Sequence, residues 1–209
     1  MTQDHYFTAD PKVPSRPRTI QVTLPDRSFE LETDRGVFAH GHIDFGTDLL
    51  LRTAPTPPPG ELIDVGCGYG AIAITMALRQ PDARVWAVDV NRRALELCAR
   101  NAERAGAVNV VTAEPGAVPE ALRFAGMYSN PPVRLGKAGL HDLLLHWIDR
   151  LEPGRSAMLV VQRHLGADSL AAWLTGLGHR VDRIRSRGGY RILEVHAPAG
   201  TTHDGSRAR

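Results

Sequence analysis

The chain has 209 residues, 43% of them hydrophobic, enough for one domain, alone or with a small extension, and a sizeable core. Its net charge of +2 neither requires nor excludes nucleic acid. No apolar run is long enough to span a bilayer, and the polar start MTQDHYFTAD does not read as a signal peptide. Cys67 and Cys98 stand far apart without CxxC spacing, which argues against a disulfide framework and fits a reducing cytoplasm. The cations are nearly all arginine, Lys12 and Lys137 being the only lysines. Codon composition accounts for that as readily as phosphate binding by the guanidinium fork.

Residues 19–33, TIQVTLPDRSFELET, form two alternating runs around Pro25-Asp26-Arg27 and predict a β-hairpin. Residues 36–46 read as a glycine- and histidine-rich loop, and 47–53 as a short helix that Asp44 or Thr47 can cap. PTPPPG at 55–60 is a stiff linker, after which the pattern becomes regular. Strands are predicted at 61–65, 84–90, 109–113, 124–129 and 156–162, and helices at 69–79, 92–105, 139–151 and 169–177. Residues 179–186 and 190–197 make a closing antiparallel pair turned by Gly188-Gly189. This alternation predicts an α/β fold, a mostly parallel sheet with helices on both faces and an antiparallel hairpin at its edge. Residues 1–59 are then an N-terminal extension, 60–197 the ligand-binding domain, and 198–209 a polar tail expected to be disordered.

The stretch DVGCGYG at 64–70 joins a strand to a helix, at the strand ends where such sheets bind ligands. Gly66 and Gly68 lack a Cβ, so backbone can approach a ligand closely there. A GxG turn also occurs in ordinary α/β proteins, and Gly66, Gly68 and Ala71 fit a dinucleotide fingerprint. Asp89, ending the second strand of this region, suits ribose hydroxyls under either ligand reading. Two features favour S-adenosylmethionine. Asp64 precedes the glycines and suits a cationic ligand better than a pyrophosphate, and a dehydrogenase leaves Asn130-Pro131-Pro132 without a task.

Consecutive prolines cannot continue a ladder or a helix, so YSNPPVRLGK ends a strand stiffly and presents Asn130. An exocyclic amine is a poor nucleophile because its lone pair is delocalised into the ring. Asn130 Oδ1 and the Pro131 carbonyl are placed to accept its two hydrogens and aim the lone pair at a methyl group, by orientation and preorganised charge. An aspartate at 130 is expected to keep part of that function, since a carboxylate oxygen also accepts.

DVGCGYG with NPP resembles class I S-adenosylmethionine-dependent methyltransferases that act on exocyclic or amide nitrogen. The resemblance is closer to the ribosomal RNA small-subunit methyltransferase C family, guanine-N2 enzymes of 16S rRNA. It runs from HYFTADP (5–11) through GVFAHGHIDFGTDLLL (36–51), NPPVRLGK and VVQRHLGADSL (160–170) to GGYRILEV (188–195). It implies a Rossmann-like fold with a seven-stranded sheet and an S-adenosylmethionine site at Asp64, Gly66, Gly68, Asp89, Glu114 and Asn130, with Asn130 and Pro131 at the amine. Phe38, Pro132, Val133, Arg134 and Tyr190 become the substrate-binding candidates. Val133 replaces a common aromatic or isoleucine, so base stacking falls to Phe38 or Tyr190. Ala113-Glu114 replace a Ser-Asp or Ser-Asn pair, leaving Glu114 to accept from the adenine amine, and Gly126 replaces a frequent aspartate.

Plainer readings stand beside these. His40 and His42 lack a third ligand for a metal, and a hydrogen-bonded loop explains them. Arg183, Arg185 and Arg187 alternate along a strand and are expected on one face, as a phosphate track or as a solvated edge. Cys67 reads as a packing residue. The expected partner is ribosomal RNA or the small subunit, with neither metal nor membrane, for a cytoplasmic monomer or homodimer. The alternatives are a methyltransferase for protein glutamine amides and a non-catalytic RNA-binding or assembly module.

Overall fold

The structure, a computed structural model, describes residues 11–132 and 135–198. Strands β1 (Arg18–Thr23) and β2 (Ser28–Thr33) pair antiparallel across the Pro25-Asp26-Arg27 turn, as their alternation predicts. Helix α1 (Phe45–Thr53) begins two residues before its predicted start because Asp44 caps it, accepting the Thr47 N–H at 3.0 Å.

The regular part runs β3 (Gly60–Val65), α2 (Ala71–Arg79), β4 (Ala83–Val88), α3 (Arg92–Ala105), β5 (Val110–Ala113) and β6 (Gly126–Ser129). Then follow α4 (Gly136–Ile148), β7 (Ser156–Gln162), α5 (Ala167–Gly176), β8 (Arg180–Arg187) and β9 (Tyr190–His196). Seven strands form one sheet in the order β5-β4-β3-β6-β7-β9-β8. The first five in that order are parallel, while β9 runs antiparallel to both β7 and β8. From β3 the chain winds outward to β5, then returns to the other side of β3 as β6. That reversal opens a crevice at the carboxyl ends of β3 and β6.

Strand pleating sends successive residues to opposite faces. Leu62, Val85, Tyr128, Val160 and Ile192 point into one apolar cluster, with α1, α2, α3 and the β1–β2 hairpin. Ile63, Val88, Met127, Leu159 and Leu193 point into the other, with α4 and α5. The N-terminal hairpin therefore shares a core with the sheet, and Asn101 of α3 locks it by exchanging hydrogen bonds with Glu32 N and O, both at 2.8 Å. Each large apolar side chain fully removed from water contributes about 1.5–3 kcal/mol. Among the described residues no helix is long and apolar enough to cross a membrane.

Boundaries shifted where side chains took over the backbone. β4 stops at Val88 instead of residue 90, because the Asp89 carboxylate folds back onto the Gly68 and Asn91 N–H groups and Asn91 caps α3. Helix α4 starts three residues earlier than predicted and ends at Ile148, freeing Leu151 to bridge Phe124.

The arginines of β8 do not share one face. Arg183 registers with Leu193, but Arg185 registers with Ile192, leaving Ile184 as an extra, bulged residue. A bulge of one residue inverts the facing of everything after it. Arg183 thus lies on the α5 side, 3.2 Å from Asp168, while Arg185 and Arg187 follow Ile192 and Tyr190 to the α1 side.

Candidate active site

The crevice opens into a cavity of about 470 Å³, within the roughly 300–1,000 Å³ of small-ligand pockets. Gly66, Gly68 and Asp89 line it, as do Asn130, Pro131 and Pro132. Phe38, Asp44, Gln162 and Tyr190 also reach it, with Trp147, Leu143 and Leu165 giving an apolar wall.

Gly66 and Gly68 adopt φ of +77° and +54°, the left-handed region that glycine enters freely. Four of the loop's N–H groups, those of Gly66, Cys67, Gly68 and Gly70, are already used. Gly66 and Cys67 donate to the Val88 carbonyl at 2.8 and 3.0 Å, Gly68 to Asp89 Oδ2 at 2.9 Å, and Gly70 to the Cys67 carbonyl. A pyrophosphate needs such donors free, so this loop is a poor dinucleotide cradle. Asp89 keeps lone pairs beyond those given to Gly68 and Asn91. Burial raises its pKa, against the lowering pull of its backbone N–H partners.

Asp64 lies beneath the loop, fully buried. Its Oδ2 accepts the Ala73 N–H at 3.0 Å, while Oδ1 has no partner. Burial, reinforced by the Asp89 charge and only partly offset by the Ala73 N–H, holds this carboxyl well above the usual carboxylate range. The next two residues, Val65 and Gly66, line the cavity, but Asp64 itself does not.

At the β6 end, Ser129 Oγ donates to the Val65 carbonyl at 2.6 Å, tying the two strand ends together. Asn130 Nδ2 donates to Asp44 Oδ2 at 2.9 Å and to Thr47 Oγ1 at 3.0 Å. A carboxylate only accepts, so this partner fixes which amide atom is nitrogen and leaves Oδ1 as the acceptor. Tyr190 Oη donates to Asp44 Oδ1 at 3.5 Å and accepts from Gln162 Nε2. Gly46 makes room for that tyrosine: a Cβ there would lie 2.6 Å from Tyr190 Cε1.

Glu114 stands apart. Its side chain is exposed and paired with Arg92 at 3.0 Å, and its neighbour Pro115 lines the cavity instead. Val133 and Arg134 lie outside the described residues. His40 and His42 hydrogen-bond to the carbonyls of Arg16 and His40. Burial pushes the Cys67 thiol up, as suits packing. Among the described residues Asp182, Glu194 and His196 alone have metal-ligand spacing, at the end of β8–β9 away from Tyr190, where Arg180 holds Asp182 at 2.7 Å. Asp44 and Thr47 as anchors of Asn130, and Trp147 and Gln162 in the wall, had no sequence signal beyond the helix-capping pattern.

This sheet order, with its glycine loop after β3, acidic residue after β4 and NPP after β6, is the Rossmann-like architecture of a class I methyltransferase. The chain belongs to the methyltransferase small domain family, whose description matches residues 28–194. It is 33% identical over 196 residues to an uncharacterized protein of Bacillus subtilis, YbxB, covering 92% of this chain and 98% of that one. It is 34% identical over 134 residues to ribosomal RNA small subunit methyltransferase C of Shewanella pealeana, covering 62% of this chain but 39% of that one. The fold resembles, with a TM-score of 0.73 and 24% identity, that of a T. thermophilus 16S rRNA N2 methyltransferase solved with AdoMet and guanosine, over 89% of this chain and 52% of that one. The chain thus spans about half or less of the named RNA methyltransferases it matches. The methyl donor is S-adenosylmethionine, and Asp89, which lines the cavity with lone pairs to spare, fits its ribose.

Proposed function

We propose that this protein methylates the exocyclic 2-amino group of a guanosine in 16S rRNA. One observation carries the reading: the Asn130 amide is held through its nitrogen by Asp44 and Thr47, so its oxygen is the free acceptor. When bound, S-adenosylmethionine supplies an electrophilic methyl group on a sulfonium. Asp89 holds the ribose hydroxyls, and Gly66 and Gly68 let the backbone close on the ligand. Asn130 Oδ1 and the Pro131 carbonyl accept the two amine hydrogens, which turns the nitrogen lone pair toward the methyl. Because the nitrogen becomes more acidic as the bond forms, both acceptors gain strength in the transition state. Phe38 and Tyr190 flank the base, and the apolar wall around Trp147 excludes water. A guanine must leave its stack to reach this depth, so a single-stranded or loop nucleotide is preferred.

The test is incubation with labelled S-adenosylmethionine and 16S rRNA, 30S subunits or tRNA, followed by nucleoside analysis. N2-methylguanosine from 16S rRNA or 30S subunits is the expected product. Label on protein glutamine instead, or no transfer to any substrate, overturns the reading.

A further inference from the structure

Strand β8 carries arginines at 180, 183, 185 and 187, and the fold treats its two ends differently. Arg180 pairs with Asp182 at 2.7 Å and Arg183 with Asp168 at 3.2 Å. Arg191, on the neighbouring strand, gives its charge to Asp168 at 2.7 Å. Arg185 and Arg187 have no carboxylate partner among the described residues, and both are exposed. These two stand at the end of the strand that turns into Tyr190, and Tyr190 lines the cavity. Arg163 is also exposed and has no carboxylate partner among the described residues. Its backbone N–H is fixed to the hairpin tip by a 2.7 Å bond to the Gly189 carbonyl. Along β8, charge is therefore neutralised at the end far from Tyr190 and left free at the end beside it.

An aromatic surface adjoins this charge. Phe45, 45% exposed, stacks at a tilt on Tyr190 with ring centroids 5.5 Å apart. Gly188 lets the hairpin tip press against it, since a Cβ there would lie 2.5 Å from Phe45 Cε1, and its φ is +57°. Phe45 follows Asp44 directly, so the ring is attached to the residue that anchors Asn130. Uncompensated arginines beside an exposed ring are the two components of single-strand recognition, phosphate attraction and base stacking.

We infer that the β8–β9 tip and Phe45 form the docking surface for the RNA strand flanking the target nucleotide. Phe45 stacks an adjacent base, while Arg185, Arg187 and Arg163 hold its phosphates. The bulge at Ile184 is what delivers Arg185 and Arg187 to this face, away from Asp168. This rests on the RNA reading above and adds the residues that hold the strand.

The experiment measures binding of a guanosine-containing single-stranded 16S rRNA oligonucleotide over a series of salt concentrations. It compares wild type with Arg185→Gln/Arg187→Gln, Phe45→Ala and Arg183→Gln. For wild type, log affinity falls linearly with log salt. Each lost phosphate contact makes that slope shallower by about 0.7, so the double variant loses about 1.4. Its low-salt affinity drops roughly tenfold or more. Phe45→Ala weakens binding with the slope unchanged, and Arg183→Gln stays within about twofold, because Asp168 already holds that charge. S-adenosylmethionine affinity, unchanged in every variant, confirms folding. A wild-type slope in the double variant, or an equal loss in Arg183→Gln, overturns the inference while leaving RNA methylation standing. Wild type that binds no RNA overturns both readings, and its labelled product then shows whether a protein amide is the substrate.

Discussion

The two strand ends that form the cavity are held in opposite ways. After β3, the loop is fastened by its own neighbourhood: Asp89 grips Gly68 N, the Val88 carbonyl takes two N–H groups, and Asp64 caps the first turn of α2. After β6, Asn130 is fastened by side chains from remote segments, Asp44 and Thr47 of the N-terminal part, with Tyr190 and Gln162 behind them. Damage to the first should loosen the loop and ligand affinity together. Damage to the second should misaim one amide and leave the donor site whole.

The largest effect should come from Asn130→Ala. Single-turnover methylation should slow by about a hundredfold or more, with S-adenosylmethionine affinity by calorimetry unchanged, because the contact matters in the transition state. Full activity would reduce Asn130 to a turn residue. The expectation that Asn130→Asp keeps part of the activity changes with the structure. Asp44 Oδ2 sits 2.9 Å from Nδ2, so a second carboxylate there meets like charge in place of a donor. That variant should be nearly as slow as Asn130→Ala at neutral pH and recover as acid neutralises the pair.

Asp89→Ala comes next, with S-adenosylmethionine affinity falling by about 2–3 kcal/mol from lost charge-assisted hydrogen bonds. The same variant frees Gly68 N and Asn91 N, so its melting temperature should fall too. Unchanged affinity would place the ribose elsewhere.

Asp44 gives a sharper contrast between the strand ends. Asp44→Ala removes the α1 cap, worth about 1 kcal/mol, and also releases Asn130. Asp44→Ser restores a capping oxygen on a side chain too short to reach Asn130. Melting should recover in the serine variant, while kcat stays roughly tenfold down with KM for the donor unchanged. Recovery of both would make Asp44 a helix cap and nothing more.

The smallest effect is on stability at Asp64. Its folded pKa is raised by burial, so the ionised form is held at a cost. The favourable contribution of the protonated carboxyl is complete below about pH 4 and is lost as pH climbs toward the folded value. Asp64→Asn keeps an oxygen for Ala73 N and removes that loss. Its urea midpoint should exceed wild type at neutral pH, with the gap closing toward pH 4. A gap independent of pH would remove the buried-charge account.

Legibility followed the same division. The glycine loop, Asp89 and the strand–helix alternation are local patterns, readable because consecutive residues carry them. The anchoring of Asn130 was not readable: 86 residues separate it from Asp44, and NPP announces a rigid strand end without naming what grips the amide. The β8 face was misread for another reason. Alternation assumes strict pleating, and the bulge at Ile184 shifts the phase by one residue with no glycine or proline to mark it. Glu114 failed as a cavity residue because Arg92 offers it a solvent-side partner.

The position of β9 gives the molecule an order of assembly. It is the last strand among the described residues, yet it inserts between β7 and β8, and only with it does Tyr190 arrive behind Asp44. A chain emerging from the ribosome has made every residue of the donor loop and its acidic partner by the close of β5. The Asp44 anchor of Asn130 gains its Tyr190 backing only when β9 pairs. A nascent polypeptide would therefore possess the glycine loop and Asp89 before the strand that brings Tyr190 to the cavity.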